Sequence, residues 1–304
     1  MYKLKRIIVA LDLTEMDEVL LRYTSELAKK VKADKTYFYH IAEDFDIPSE
    51  IKEKYPDLLA PTDESLEAII KEQIDKYWTV GDHCAVDVEV KEGNSFEKLV
   101  RAIDNKDADL IVMGRKKSLK GSGALSKKMA NLAHSSVMLV PDDAKFDVGK
   151  LVVPIDYSKH SKLVVEQAIN ISKNTEAHIE FVHVFTVPSG YHKTGKSYDE
   201  FADIMKQHSE EDYQKFIKQF DFEEVPPCEH ILDDDKRPSD KIFDYAEKNG
   251  ANLIIMGSKG RTGLASMLLG SVATKVIDFD TSIPLLIVKE KKENMGFLKA
   301  LLNI

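Results

Sequence analysis

The chain is poor in cysteine: only Cys84 and Cys228 stand in 304 residues. That is too few for a disulfide framework. Long apolar runs are missing as well, and no stretch reaches the roughly 18 residues that a membrane span needs. The opening "MYKLKRIIVALDLTE" holds one short apolar run before Asp12 and no small-residue cleavage site. It therefore does not read as a secretory signal. An excess of positive charge is absent too. The 43 Lys and Arg are outnumbered by 52 Asp and Glu, for a net charge of −9, which disfavours bulk nucleic-acid binding. The expectation is a cytoplasmic protein with no nucleic-acid partner and no membrane span.

What is present is a repeat. The length suits two domains of about 150 residues, and 43 % apolar residues suffice for a core in each. "RIIVALDLTE" from Arg6 aligns with "KLVVPIDYSK" from Lys150 at an offset of 144. Each is a β-branched apolar run ending in an acid, Asp12 or Asp156. Such runs suit strands buried on both faces of a parallel sheet. Four more pairs follow, beginning at Asp34 and Glu176, Cys84 and Cys228, Ala108 and Ala251, and Ser135 and Thr281.

Helical spacing lies between the strands. Val19, Leu20, Tyr23, Leu27 and Val31 form one stripe, and Leu163, Val164, Ala168 and Ile171 another. Ser158 is placed to cap the second of these helices, and Asn249-Gly250 to stop a later one. A longer charged segment follows the second strand of each copy and leads into a second helix. Alternating strands and helices give an α/β fold, two tandem doubly wound parallel five-stranded sheets. The domains are set at 1–143 and 149–290, with an apolar C-terminal tail at 291–304.

The fourth pair separates the copies. "ANLIIMGSKGRTGLASMLLGS" carries Gly257, Gly260, Gly270 and Ser271 in a G-x2-G-x9-G-S spacing. Gly257 ends a buried strand, where open α/β sheets place their ligands. Glycine there permits close backbone approach or positive φ, and intervening amides can form an anion nest. Gly270-Ser271 opens a helix with Val272, Val276 and Phe279 on one face. Lys259 and Arg261 add positive charge. These features describe a phosphate cradle. Neither a G-x4-G-K-[S/T] loop nor a G-x-G-x-x-G after the first strand occurs. The same glycines also read as plain turn residues, and spacing alone leaves both readings open.

The five-strand unit, the "PIDYS" end of strand one, the "HV" end of strand two and the glycine loop after "LIIMG" resemble the universal stress protein family, from about Lys3 to Lys289. The resemblance implies a strand order of 3-2-1-4-5 and an adenine-nucleotide site in the second copy. Asp156, flanked by Pro154 and Ile155, matches the acid near the adenosine. Val184 matches the position whose backbone meets the adenine edge. Met256, Gly257, Lys259, Gly260 and Arg261 match the loop around ribose and phosphates; Gly270, Ser271 and Val272 match the helix start. His183 reads as structural. ATP is the implied ligand, with AMP and ADP as alternatives and Mg²⁺ accompanying the phosphates.

In the first copy Asp12 and Gly114 remain. Lys117 replaces the second glycine, Ala124 and Leu125 fall near the Gly270-Ser271 places, and the loop is three residues shorter. This copy reads as a structural partner with a degenerate nucleotide loop. Family dimers further imply internal pairing of the two copies as a pseudo-dimer through "VMLVP" and "PLLIV". Cys84 and Cys228 then lie on opposite outer edges, out of disulfide reach. The tail, with Phe297, Leu298, Leu301 and Leu302, reads as a helix on its own domain or as a hook for a protein partner or self-association. The function implied is a nucleotide-dependent sensor or adaptor in stress response. The alternatives are a nucleotide-free scaffold dimer and a slow ATPase, although the S-G-G-x-D-S and H-I-G-H signatures of adenine-nucleotide enzymes are missing.

Overall fold

The computed structural model describes residues 3–44, 49–55, 62–116, 123–260, 269–279 and 281–291. It divides into two compact units, the first built on Leu4–Met129 and Ala133–Phe146, the second on Asp147–Glu290. The apolar tail beyond Lys291 lies outside the described residues.

The first unit runs β1 (Arg6–Leu11), α1 (Met16–Val31), β2 (Lys35–Ala42), α2 (Ser49–Lys54), α3 (Asp63–Tyr77), β3 (Ala85–Glu92), α4 (Ser95–Asn105), β4 (Leu110–Arg115), α5 (Ala124–Leu132) and β5 (Ser136–Pro141). Its strands are all parallel in the order β3-β2-β1-β4-β5. Ile8 sits between Tyr37 and Ile111 in register. Ile7, Ile8, Val9, Ile111 and Val112 are fully buried, as continuous apolar strands covered on both faces require.

The second unit repeats this with β6 (Lys150–Pro154), α6 (Lys159–Thr175), β7 (His178–Phe185), a 3₁₀ turn (Tyr191–Thr194), α7 (Tyr198–Ile217), β8 (Cys228–Leu232), α8 (Pro238–Lys248), β9 (Leu253–Gly257), α9 (Ser271–Ile277) and β10 (Leu285–Val288). The order is β8-β7-β6-β9-β10, again parallel. β6 lies between β7 and β9, so the chain crosses in opposite directions on its two sides. A crevice opens at the carboxyl ends of β6 and β9.

Local signals operate as the sequence suggests. Ser158 caps α6 by accepting from Ser161 N–H, and Gly250 adopts φ +65 just after α8. The charged excursions become α2–α3 and the 20-residue α7. Both cysteines are free.

Three details differ from the expected pattern. Val19 and Leu163 are only half-buried, while Met16, Leu21, Thr24, Val165 and Gln167 are buried. Each helix is gripped along a wider face than one stripe. The inner face of α9 is Ala273, Val276 and Ile277 rather than Val272, Val276 and Phe279. That helix stops at Ile277, and Phe279 stacks outside it on Phe243 at 4.5 Å.

The copies also share backbone features that composition hides. Leu13 (φ +59) and Tyr157 (φ +64) are both left-handed, each following the strand-end aspartate. Lys32 (φ +51) and Glu176 (φ +61) are left-handed at the ends of α1 and α6.

Candidate functional site

The second-unit site is built on the end of β6. Ile155 N–H donates to the Val182 carbonyl (2.9 Å), extending the strand pairing by one residue. The chain then turns through left-handed Tyr157 into α6. This turn brings the start of the helix back onto Asp156. Asp156 Oδ1 accepts from Ser161 Oγ (2.7 Å) and Ser158 N–H (3.0 Å). Asp156 N–H in turn donates to Ser161 Oγ (3.0 Å).

Tyr157 is fixed from two sides. Its ring stacks on His183 at 4.4 Å, and its hydroxyl donates to the Ser209 carbonyl on α7 (3.2 Å). His183 lies 2.8 Å from the Ile155 carbonyl through Nδ1. A carbonyl only accepts, so that nitrogen carries the proton. Ser209 Oγ lies 2.6 Å from His230 Nδ1, and burial holds the His230 imidazole below its ordinary pKa. Burial pushes the Cys228 thiol up, with the neighbouring Glu229 charge adding to the effect.

The glycine loop closes over Asp156. A Cβ on Gly260 would stand 2.7 Å from Asp156 Oδ2, a Cβ on Gly257 3.2 Å from the Lys259 carbonyl, and a Cβ on Gly270 3.4 Å from the Ser258 carbonyl. Gly270 N–H donates to that Ser258 carbonyl (2.7 Å). None of the three has positive φ. Close backbone approach therefore accounts for these glycines, and left-handed geometry does not.

A cavity of about 280 Å³ opens here. Eleven of the twelve residues singled out in the sequence line it: Pro154 from β6 with Ile155 and Asp156 just after it, Val184 from β7, Met256, Gly257, Lys259 and Gly260 from β9 and its loop, and Gly270, Ser271 and Val272 at α9. Arg261 lies outside the described residues. The sequence reading missed Ser161, Val182, Pro238, Ile242, Ser258 and Ala273, which complete the lining. Ser258 is 1 % exposed, and its hydroxyl has no hydrogen-bond partner among the described residues. The D-x-S-x-x-S spacing from Asp156 was the available signal for Ser161.

The first unit fills the corresponding places with its own side chains. Met16 lies over Gly114, where a Cβ would meet Met16 Cγ at 2.6 Å. Lys116 Nζ binds Asp12 Oδ2 (2.7 Å) and Thr14 Oγ1 (2.9 Å). Burial would raise the Asp12 carboxyl, but the Lys116 and Thr14 hydrogen bonds and the lysine charge outweigh it and hold the acid below its usual range. At the place of Ser161 stands Asp17. Its carboxylate accepts from Asp12 N–H (2.9 Å) and Leu13 N–H (2.8 Å). Burial raises Asp17 to about 6, the Asp12 charge acting in the same direction.

One alignment needs correction. The α5 N-cap is Gly123, not Ala124, so Gly123 takes the place of Gly270 and the first loop is four residues shorter rather than three. Gly123 is left-handed (φ +106) whereas Gly270 is extended (φ −70). Lys117 lies outside the described residues.

The model of the universal stress protein family matches residues 3–141 and again 148–289. The chain belongs to the universal stress protein family. Universal stress protein MJ0531 of Methanocaldococcus jannaschii is 34 % identical over 146 residues, 47 % of this chain and 84 % of that protein. Universal stress protein YxiE of Bacillus subtilis is 31 % identical over 147 residues, 46 % of this chain and 98 % of that protein. Each spans about half of this chain, as a tandem member requires. A putative universal stress protein from Pseudomonas aeruginosa superposes over 99 % of this chain and 98 % of its own, with TM-score 0.69 at 14 % identity. At that identity the likeness speaks for the fold. No helix among the described residues is long and apolar enough to cross a membrane.

Proposed function

We propose that the second unit of this universal stress protein binds one adenine nucleotide, ATP in preference to ADP or AMP, and acts as a nucleotide-dependent sensor or adaptor. One observation carries this reading: eleven residues chosen for a nucleotide site line one cavity at the crevice beside β6. Apolar walls from Val182, Val184, Ile242 and Met256 suit a planar base. The glycine backbone and Lys259 belong to the same lining. Mg²⁺ would ride on the phosphates, since Asp156 is the only acid among the described lining residues.

Calorimetric titration with MgATP tests the proposal and should return one site per chain. Ligand at about 100 times its dissociation constant should stabilise the protein by roughly 2.7 kcal/mol. That corresponds to a melting shift of about 5–10 °C for a unit of this size. Asp156→Ala should weaken the shift. Gly260→Val should erase it, first because the new side chain strikes Asp156 Oδ2. Asp12→Ala should leave it intact. Two equivalent sites, or a shift lost with Asp12→Ala and kept with Gly260→Val, would overturn the assignment.

A further inference from the structure

Ser258 follows the glycine that ends β9, and the glycine spacing passes over it. A Cβ on Gly257 would face Val164 and His160 of α6. Successive residues of a strand point to opposite faces, so the Ser258 side chain turns away from α6, toward the face that carries Met256 and the cavity. Its backbone is fully used. The N–H donates to the Val288 carbonyl of β10 (3.0 Å), and the carbonyl accepts from Gly270 N–H (2.7 Å). The hydroxyl is not used. Of the polar side chains that line the cavity, Ser258 is the one with a buried atom that has no hydrogen-bond partner among the described residues. A buried hydroxyl in that condition costs free energy, and such groups are rare enough to need a reason. A ligand atom in the cavity supplies one. A serine brings its oxygen to a new partner by one χ1 turn between staggered positions. The neighbours indicate which ligand atom. Ser258 is joined to Lys259, the one cation among the described lining residues, and its carbonyl holds Gly270, which leads into Ser271. A hydroxyl donor in this polar stretch suits a phosphate oxygen, while Val182, Val184 and Ile242 suit the base. The first unit has Arg115 in this place, one residue past Gly114 and 9 % exposed, and so offers no hydroxyl there.

We infer that Ser258 is a ligand-binding residue of the nucleotide site, its hydroxyl donating to a phosphate oxygen. The inference rests on the nucleotide reading above and adds to it a contact outside the glycine spacing.

The test compares the full wild-type chain with Ser258→Ala in three measurements: melting without ligand, calorimetric titration with MgATP, and phosphorus NMR of the bound nucleotide. Removing a hydroxyl that has no partner in the protein should leave melting without ligand unchanged or raise it by about 2–4 °C. Removing a hydrogen bond to a charged group should weaken MgATP roughly tenfold to a hundredfold. The phosphorus resonances of bound ATP should differ between the two proteins. A lower melting temperature in Ser258→Ala overturns the inference, because the hydroxyl is then bound within the chain. Unchanged MgATP affinity overturns it as well and leaves the nucleotide reading standing. Weakened affinity with unmoved phosphorus resonances puts the hydroxyl on the base or ribose and overturns the phosphate contact. Absence of MgATP binding in the wild type overturns the nucleotide reading, and with it the ligand assigned here.

Discussion

Asp17→Asn should change how stability depends on pH, and the sign and size follow from one buried carboxyl. Asp17 titrates near 6 in the folded chain against 3.8 for the free side chain. Between those values the folded chain keeps a proton that the unfolded chain has released. Stability from this group is therefore fully present below about pH 4 and is lost as pH rises through 6. About two pKa units at 1.36 kcal/mol each give an upper bound near 3 kcal/mol. Asparagine cannot ionise, so the variant lacks this slope. Its stability relative to wild type should rise by up to about 3 kcal/mol between pH 4 and pH 7.5, whatever constant penalty its amide adds. Urea unfolding at the two pH values measures this directly. Trp78 is the only tryptophan, and its ring sits edge-on to Phe38 in the first unit at 5.2 Å. Its fluorescence therefore reports the unit that carries the change. A difference that is flat with pH, or that shrinks toward pH 7.5, would show that burial does not govern Asp17.

Three further outcomes are expected. Gly114→Ala should destabilise the first unit by about 1–3 kcal/mol, because the new methyl meets Met16 Cγ; Met16→Ala in the same chain should recover part of the loss in a double-mutant cycle. His230 is held below its ordinary pKa of 6.5 by burial, so its contribution is present above pH 6.5 and falls away at lower pH; melting of His230→Gln should show a shallower acid limb than wild type. Deleting residues 292–304 should change oligomer size, solubility or melting temperature, measured by light scattering and calorimetry, if the apolar tail buries Phe297, Leu298 and Leu301 against protein; no change in any of them refutes that role.

The sequence made the sheet legible because the buried central strands leave continuous apolar runs that occur twice in the same order. The glycine loop was legible because Gly257 and Gly260 mark places where a side chain would crowd the Lys259 carbonyl or strike Asp156. Ser161 escaped notice for a physical reason. Its partner is five residues back, a distance with no helical or strand period. The two meet only because Tyr157 takes a left-handed turn that folds the start of α6 onto the end of β6. Nothing in a tyrosine announces positive φ. The Gly123 alignment failed likewise, since a left-handed cap and an extended cap carry the same letter. In α9 the helical period was read through Phe279, yet the last turn closes at Ile277.

The Asp17 carboxylate, seated on the Asp12 and Leu13 amides, has a consequence for measurement. Above about pH 6 the first unit carries an internal anion at its strand end, so its local opening should be indifferent to nucleotide supply. The second unit, on the reading proposed above, should become harder to open as ATP rises. One polypeptide then contains both an indicator and its reference. The ratio of amide exchange in β6–β10 to that in β1–β5 should track ATP while cancelling changes in temperature, denaturant or protein concentration. A ratio that stays constant across an ATP titration would show that the chain has no such internal standard.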